Sequence, residues 1–252
     1  MIFIPVFGPA LIFYVLDYLT LIIIIPGFLF ALWAQYRVKS SFAKYSKIPN
    51  ARGITGAEAA RKILSQANVY GVSVIPCRGN LTDNFNPKTG TINLSENVFG
   101  TPSVAAVGIA AHETGHAIQK AKNYFPMKIR SILVPVTKIG SYAALPLALI
   151  GIVIEWLAEA SGNFGTALIA LGIFLYSLSA VFALITLPVE LNASKRARRM
   201  LLSTGILTAE ETKRAGKVLS AAALTYVAGL TVSLLYLLRF IIIILSLRRN
   251  RR

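Results

Sequence analysis

The chain has two histidines, and they stand four residues apart in the run His112-Glu113-Thr114-Gly115-His116. On a helix, residues four apart share a face, so both imidazoles can reach one tetrahedral Zn²⁺. Glu113 then stands beside the open coordination position, where it can take a proton from water. Zinc bound for catalysis wants three protein ligands plus water, and no third histidine exists. The remaining ligand has to be a carboxylate or Cys77, the single cysteine. The bland alternative, two histidines and a glutamate on the polar stripe of an amphipathic helix, leaves it a coincidence that both histidines fall on this one helix.

The segment that must position this HExxH helix, residues 37–131, reads as a compact α+β domain. Thr55-Gly56-Ala57-Glu58 has the form of a capping box, and Ala59, Ala60, Ile63, Leu64 and Ala67 follow at helical spacing. Val72 and Val74 alternate as a strand. Two further short strands are predicted at 81–85 and 91–94, and the turn formers Asn86-Pro87-Lys88-Thr89-Gly90 join them as a hairpin. The 91–94 strand is expected either to be an ordinary hairpin strand or to offer its edge to an extended peptide. Thr101 is expected to cap a helix that starts at Pro102 and runs to about Lys120. Val104, Ala105, Val107, Ile109, Ala111 and Ile118 would hold it in an apolar core. Gly115 costs that helix around 1 kcal/mol relative to Ala, which suits close approach of another backbone or of a substrate, or plain helix packing.

Composition places this domain at a membrane. Of 252 residues, 55% are hydrophobic and 14% charged, with a mean hydropathy of +0.64. Apolar blocks exceed the roughly 20 residues needed to cross a bilayer core. A soluble, collagenous, disordered or disulfide-stapled chain is excluded, and Cys77 alone reads as a small apolar residue bound for burial. Spans are predicted at 18–36, 139–157, 164–188 and 219–247. Residues 1–17, broken by Gly8 and Pro9, would lie at the far interface; they lack the basic start of a cleavable signal peptide. The net charge of +16 flanks apolar blocks, so topology and anionic lipid headgroups explain it, and nucleic acid does not.

Five segments follow: residues 1–36, the apolar amino terminus and first span; 37–131, the domain with the motif; 132–188, two spans; 189–217, a helical polar segment; and 218–252, the last span and a basic tail. Arg37, Lys39, Lys44 and Lys47 after the first span, and Lys195, Arg196, Arg198 and Arg199 after the third, put both large polar segments in the cytoplasm. Four crossings leave Arg248, Arg249, Arg251 and Arg252 outside, so either the tail breaks the rule or the last block is re-entrant.

This topology sorts the carboxylates. Glu155 and Glu159 fall on the far side, and Glu210 and Glu211 belong to a second capping box after Thr208. Glu190 remains: it follows the third span, two crossings from His116, and opens a predicted helix over 190–202. Its bland reading is a charge at the positive end of that helix. Asp83, Glu96 and Cys77 are weaker candidates.

The membrane exit Ala-Leu-Trp-Ala-Gln-Tyr-Arg-Val-Lys-Ser (31–40), Leu81-Thr82-Asp83, the His112–His116 motif, Leu187-Pro188-Val189-Glu190 and Ala222-Ala223-Leu224-Thr225-Tyr226-Val227 resemble the YugP-like neutral zinc metallopeptidases of bacteria. The resemblance covers nearly the whole chain after the first 15 or so residues. Those are membrane-embedded peptidases distantly similar to the HtpX and CAAX-prenyl protease gluzincins. The resemblance implies a zincin-like fold, zinc on His112, His116 and Glu190, Glu113 as catalytic base, and the bacterial plasma membrane as location. Two residues after the glutamate that family usually carries Asp; here it is Asn192, which can orient a ligand by hydrogen bonds but adds no charge. Ser194, one turn after Glu190, is the other orienting candidate.

The expected molecule is therefore a mainly α membrane protein with four transmembrane helices plus a zincin-like α+β cytoplasmic domain. It would be a zinc endopeptidase cleaving peptide or membrane-protein substrates at the cytoplasmic face, with Tyr226 as a candidate oxyanion donor. An intramembrane protease would need the motif inside a span and a later Asp-Gly pair, and the chain has no Asp-Gly. The competing class is a non-catalytic multi-span protein with a structural zinc site, which would have no use for Glu113.

Overall fold

The computed structural model describes residues 18–157 and 164–249; expectations for residues 1–17, for Glu159 and its neighbours at 158–163, and for Arg251 and Arg252 lie outside them. In chain order come α1 (Tyr18–Tyr45), α2 (Gly56–Gln66), β1 (Ser73–Cys77), β2 (Asn84–Asn86), β3 (Thr91–Ser95), α3 (Glu96–Phe99), α4 (Val104–Ala121), α5 (Phe125–Leu157), α6 (Phe164–Ser203) and α7 (Ala209–Arg249). Four of them, α1, α5, α6 and α7, are long and apolar enough to cross a membrane. Each contains a predicted span and outruns it, because hydropathy marks where a helix meets lipid whereas capping decides where it stops. The last block is one unbroken helix, not a re-entrant pair.

Two compact units divide the chain. One is built from the described parts of Met1–Trp33, Leu133–Leu184 and Ala228–Arg252, the other from Ala34–Ile132 and Ile185–Val227. Small residues let the helices of the first unit approach closely: a Cβ on Gly172 would stand 2.7 Å from the Ala144 carbonyl oxygen, and one on Gly151 2.6 Å from that of Gly165.

The second unit carries the motif. Thr55 and Glu58 do form a capping box at the start of α2, and Glu211 closes another with Thr208 while its Oε1 also accepts the Ala51 N–H at 2.7 Å. The sheet has the order β1-β3-β2, with β3 parallel to β1 and antiparallel to β2. The hairpin across 86–90 is present, closed by Gly90 N–H donating to the Asn86 carbonyl. The edge assigned to 91–94 is not: β3 is the central strand with both sides paired, and the exposed edges belong to β1 and β2. Cys77 is half-buried beside the Thr82 hydroxyl, not fully buried, because it closes an edge strand.

Two helix boundaries differ from expectation. The cap of α4 is Ser103, not Thr101: its hydroxyl accepts the Ala106 N–H, while the Pro102 carbonyl is taken by Asn50 N–H. An incoming strand-like contact, Pro49 against Ser103, keeps the chain extended for two residues longer than the sequence suggests. The second is α6, which runs through Pro188, so Glu190 sits mid-helix and opens nothing. Val189, Ala193, Ala197 and Leu201, an i+4 row, are each at most 1% exposed. Burying that row outweighs the hydrogen bond Pro188 removes.

Candidate metal centre

Helix α4 is held almost entirely inside the unit: Val104, Ala105, Val107 and Ala111 are fully buried, with Ile118 nearly so and Ile109 partly. Two of its glycines make close contacts, and at Gly115 the contact leaves no room for a side chain. A Cβ on Gly108 would stand 3.0 Å from the Ala215 Cβ of α7, and one on Gly115 2.7 Å from the Ala193 carbonyl oxygen of α6. Gly115 thus marks the close approach of another backbone, and that approach carries Glu190 up to the two histidines.

Glu190 Oε2 lies 3.1 Å from His112 Nε2 and 3.3 Å from His116 Nε2. The other face of each ring is committed. Gln119, fully buried, donates from Nε2 to the Val189 carbonyl at 2.8 Å and to Asn192 Oδ1 at 3.1 Å. Its Oε1 must then accept, so the contact at 3.0 Å places a proton on His116 Nδ1. His112 Nδ1 meets the Ser194 hydroxyl at 3.1 Å. The His116 Nε2 lone pair and Oε2 therefore converge as acceptors, and His112 Nε2 joins them when Ser194 accepts from Nδ1, an arrangement satisfied by a cation. Ligands about 2.0–2.1 Å from a tetrahedral zinc are about 3.3 Å apart; both Glu190–imidazole separations match that spacing, all three ligand atoms lie within 4.8 Å of one another, and each imidazole has the outer partner that metal-bound histidines ordinarily have. Among the described residues this is the group of His, Cys, Asp and Glu side chains that could hold a metal.

The second oxygen of Glu190 is occupied. Arg130 Nη1 stands 2.6 Å from Oε1, and the Tyr226 hydroxyl faces the same carboxylate. Glu190 is thereby fixed to present one oxygen to the histidines. Glu113, one residue past His112, is buried and stands apart from this trio. Burial pushes its carboxyl up to about 7, His112 opposing and the charges of Glu190 and Asp83 adding, with a backbone bond from Phe85 of β2 pulling the other way.

Of the weaker ligand candidates, none joins the trio. Asp83 accepts the Ser95 N–H at 2.7 Å and the Ser95 hydroxyl, clamping the entry of β2 to the end of β3; burial raises its carboxyl against those bonds. Glu96 is exposed in the first turn of α3. Asn192 lies beside the site: its Oδ1 takes Gln119 and the Arg196 Nε–H at 2.7 Å. Gln119 and Arg130 were missed by the sequence reading. Each left a signal, Gln119 as an amide on the same helical face as His112 and His116, and Arg130, with Lys128, as a cation in the first turns of an apolar helix.

Comparison with known proteins agrees with this geometry. The family described as "Putative neutral zinc metallopeptidase" matches residues 20–245. A protein of Bacillus subtilis (strain 168) named "Putative membrane protease YugP" is 45% identical over 214 residues, which cover 85% of this chain and 91% of that protein. No solved structure matches the chain.

Proposed function

The chain belongs to the neutral zinc metallopeptidase family, and from that premise we propose that it is a membrane-embedded, gluzincin-type zinc endopeptidase working at the cytoplasmic face of a bacterial plasma membrane. The observation that carries this reading is the meeting of three acceptors from two helices, His112 and His116 of α4 with Glu190 of α6, next to a buried carboxyl that is not part of the trio.

Zinc held by His112, His116 and Glu190 would polarise the scissile carbonyl and make a water acidic enough to be deprotonated near neutrality. Glu113, buried one residue past His112, would be the group that accepts a proton from the attacking water and returns it to the leaving amine. Ser194 and Gln119 hold the two imidazoles from behind, and Asn192 steadies Gln119. Arg130 fixes the carboxylate of Glu190 so that Oε2 faces the rings. Tyr226, whose hydroxyl faces the same carboxylate, would turn its one proton from Glu190 to the charge developing on the carbonyl oxygen when substrate is bound. The outer edge of β2, whose Phe85 N–H already reaches Glu113, is where an extended peptide lies, in place of the 91–94 strand. Lipid headgroups meet the basic flanks of the spans.

One substitution separates this reading from a structural zinc site. Glu113→Gln keeps shape and hydrogen bonding and cannot accept the proton. Zinc content and melting temperature should stay at wild-type levels while cleavage of an unfolded protein substrate falls by about 10² or more. Wild-type cleavage by that variant would refute the mechanism, and loss of zinc on substitution would assign the carboxylate a structural role.

A further inference from the structure

On α6, beyond the zinc-binding residues, Asn192, Lys195, Arg196 and Arg199 line a cavity of about 140 Å³. Their spacing of three, four and seven residues places them on one helical face. The cavity is roughly ten times the ~10–15 Å³ minimum that holds one water, room for a tetrahedral oxyanion of five heavy atoms.

Three cations share its wall, and the four ion pairs found among the described residues engage none of them. Lys195 and Arg199 are exposed and Arg196 half-buried, so an anion held among them is attracted by all three. Arg196 is nonetheless held in place: its Nε–H donates to Asn192 Oδ1 at 2.7 Å, and its guanidinium lies 5.9 Å from the centre of the Tyr124 ring. A guanidinium anchored through Nε and one face keeps its terminal donors in a fixed fork, the geometry that suits phosphate.

Position along the helix says which phosphate. The apolar block of α6 ends at Pro188, and Lys195 follows about 10 Å further along the axis. The headgroup layer on each side of a bilayer is about 5–8 Å thick. Side chains of a helix lean toward its amino-terminal end. Because α6 leaves its apolar stretch in the carboxy-terminal direction, Lys195, Arg196 and Arg199 lean back toward that stretch, as basic residues do when they reach for headgroups.

We propose that Asn192, Lys195, Arg196 and Arg199 form a binding site for a phosphate group, supplied by an anionic phospholipid headgroup. Asn192 is common to this pocket and to the Gln119 bond that holds His116, so the bound headgroup stands at a fixed place beside the metal centre. This site stands apart from the peptidase reading, since its occupancy is measured by binding alone.

The test uses the full chain in neutral detergent, titrated with dioctanoyl phosphatidylglycerol, dioctanoylglycerol or inorganic phosphate, with bound molecules counted by native mass spectrometry. The expected result is one tightly held phosphatidylglycerol, no retained dioctanoylglycerol, and binding weakened about 10-fold or more in Lys195→Gln/Arg199→Gln. Lys213→Gln/Lys217→Gln, with the same charge change on α7, should bind like wild type, and Lys195→Arg/Arg199→Lys should retain binding. Saturation by inorganic phosphate that excludes phosphatidylglycerol supports the phosphate site with a soluble source. Equal losses in the two glutamine pairs, or equal retention of both lipids, would overturn the proposal.

Discussion

Gly115→Ala tests whether the meeting of α4 and α6 creates the metal centre. A Cβ at Gly115 would stand 2.7 Å from the Ala193 carbonyl oxygen, and ordinary contact begins at 3.4 Å, so the two helices must part by about 0.7 Å. The obstacle is backbone, which cannot rotate away. Ala is worth about 1 kcal/mol over Gly in helix propensity, whereas forcing an extra carbon into a packed core costs about 1–3 kcal/mol, so the variant should be unchanged or mildly destabilised. The larger effect falls on zinc. Gly115 adjoins His116, and Ala193 lies three residues beyond Glu190, so the parting acts directly between ligands that a metal tolerates within about 0.2 Å. Zinc affinity, read by chelator competition, should fall at least 10-fold, the scale seen when a ligand's outer support is lost, and hydrolysis by about 10²-fold. Gly229→Ala is the matched control, a helical glycine with nothing within 4 Å of the added carbon, and should leave zinc untouched. A Gly115→Ala protein that binds zinc like wild type and melts higher would refute the argument that this contact sets the site.

Glu190→Ala should strip zinc as thoroughly as His116→Ala, while Glu210→Ala and Glu96→Ala keep full stoichiometry by metal analysis; zinc retained without Glu190 would reassign the third ligand. Gln119→Ala leaves His116 Nδ1 and the Val189 carbonyl without their partner and should weaken zinc about 10–100-fold, with retention of wild-type affinity counting against the Gln119 bond as the support of His116. In metal-free protein the raised carboxyl of Glu113 binds its proton more tightly folded than unfolded, so its contribution to stability falls as pH rises from about 4.5 to about 7 and is flat above. The melting temperature of Glu113→Gln should therefore gain on that of wild type across this window, and parallel profiles would show that Glu113 is not raised. Cysteine labelling after Lys47 and after Arg199 should report the same, cytoplasmic side; opposite sides are incompatible with the topology proposed.

The sequence by itself determined what is local. Histidines four apart share a helical face by geometry alone, Thr55 with Glu58 and Thr208 with Glu211 announce caps within one turn, and runs of twenty apolar residues announce helices long enough for a bilayer. Turn formers at 86–90 fixed the hairpin for the same reason. Glu190 could be reached by elimination because the candidates were few. Tertiary contacts decided the rest. Which strand is central depends on β1 pairing with β3 across an intervening strand, a non-local bond that alternation cannot report. Pro188 looked like a helix end because its local cost is visible, whereas the buried row 189, 193, 197 and 201 that outweighs it appears only when α6 is packed. Gln119 and Arg130 act on groups 60 or more residues away, so their types were legible and their partners were not. A metal centre built from two helices is a property of the distance between them, and that distance is set by Gly115 against Ala193, where the absence of one carbon lets the backbones meet.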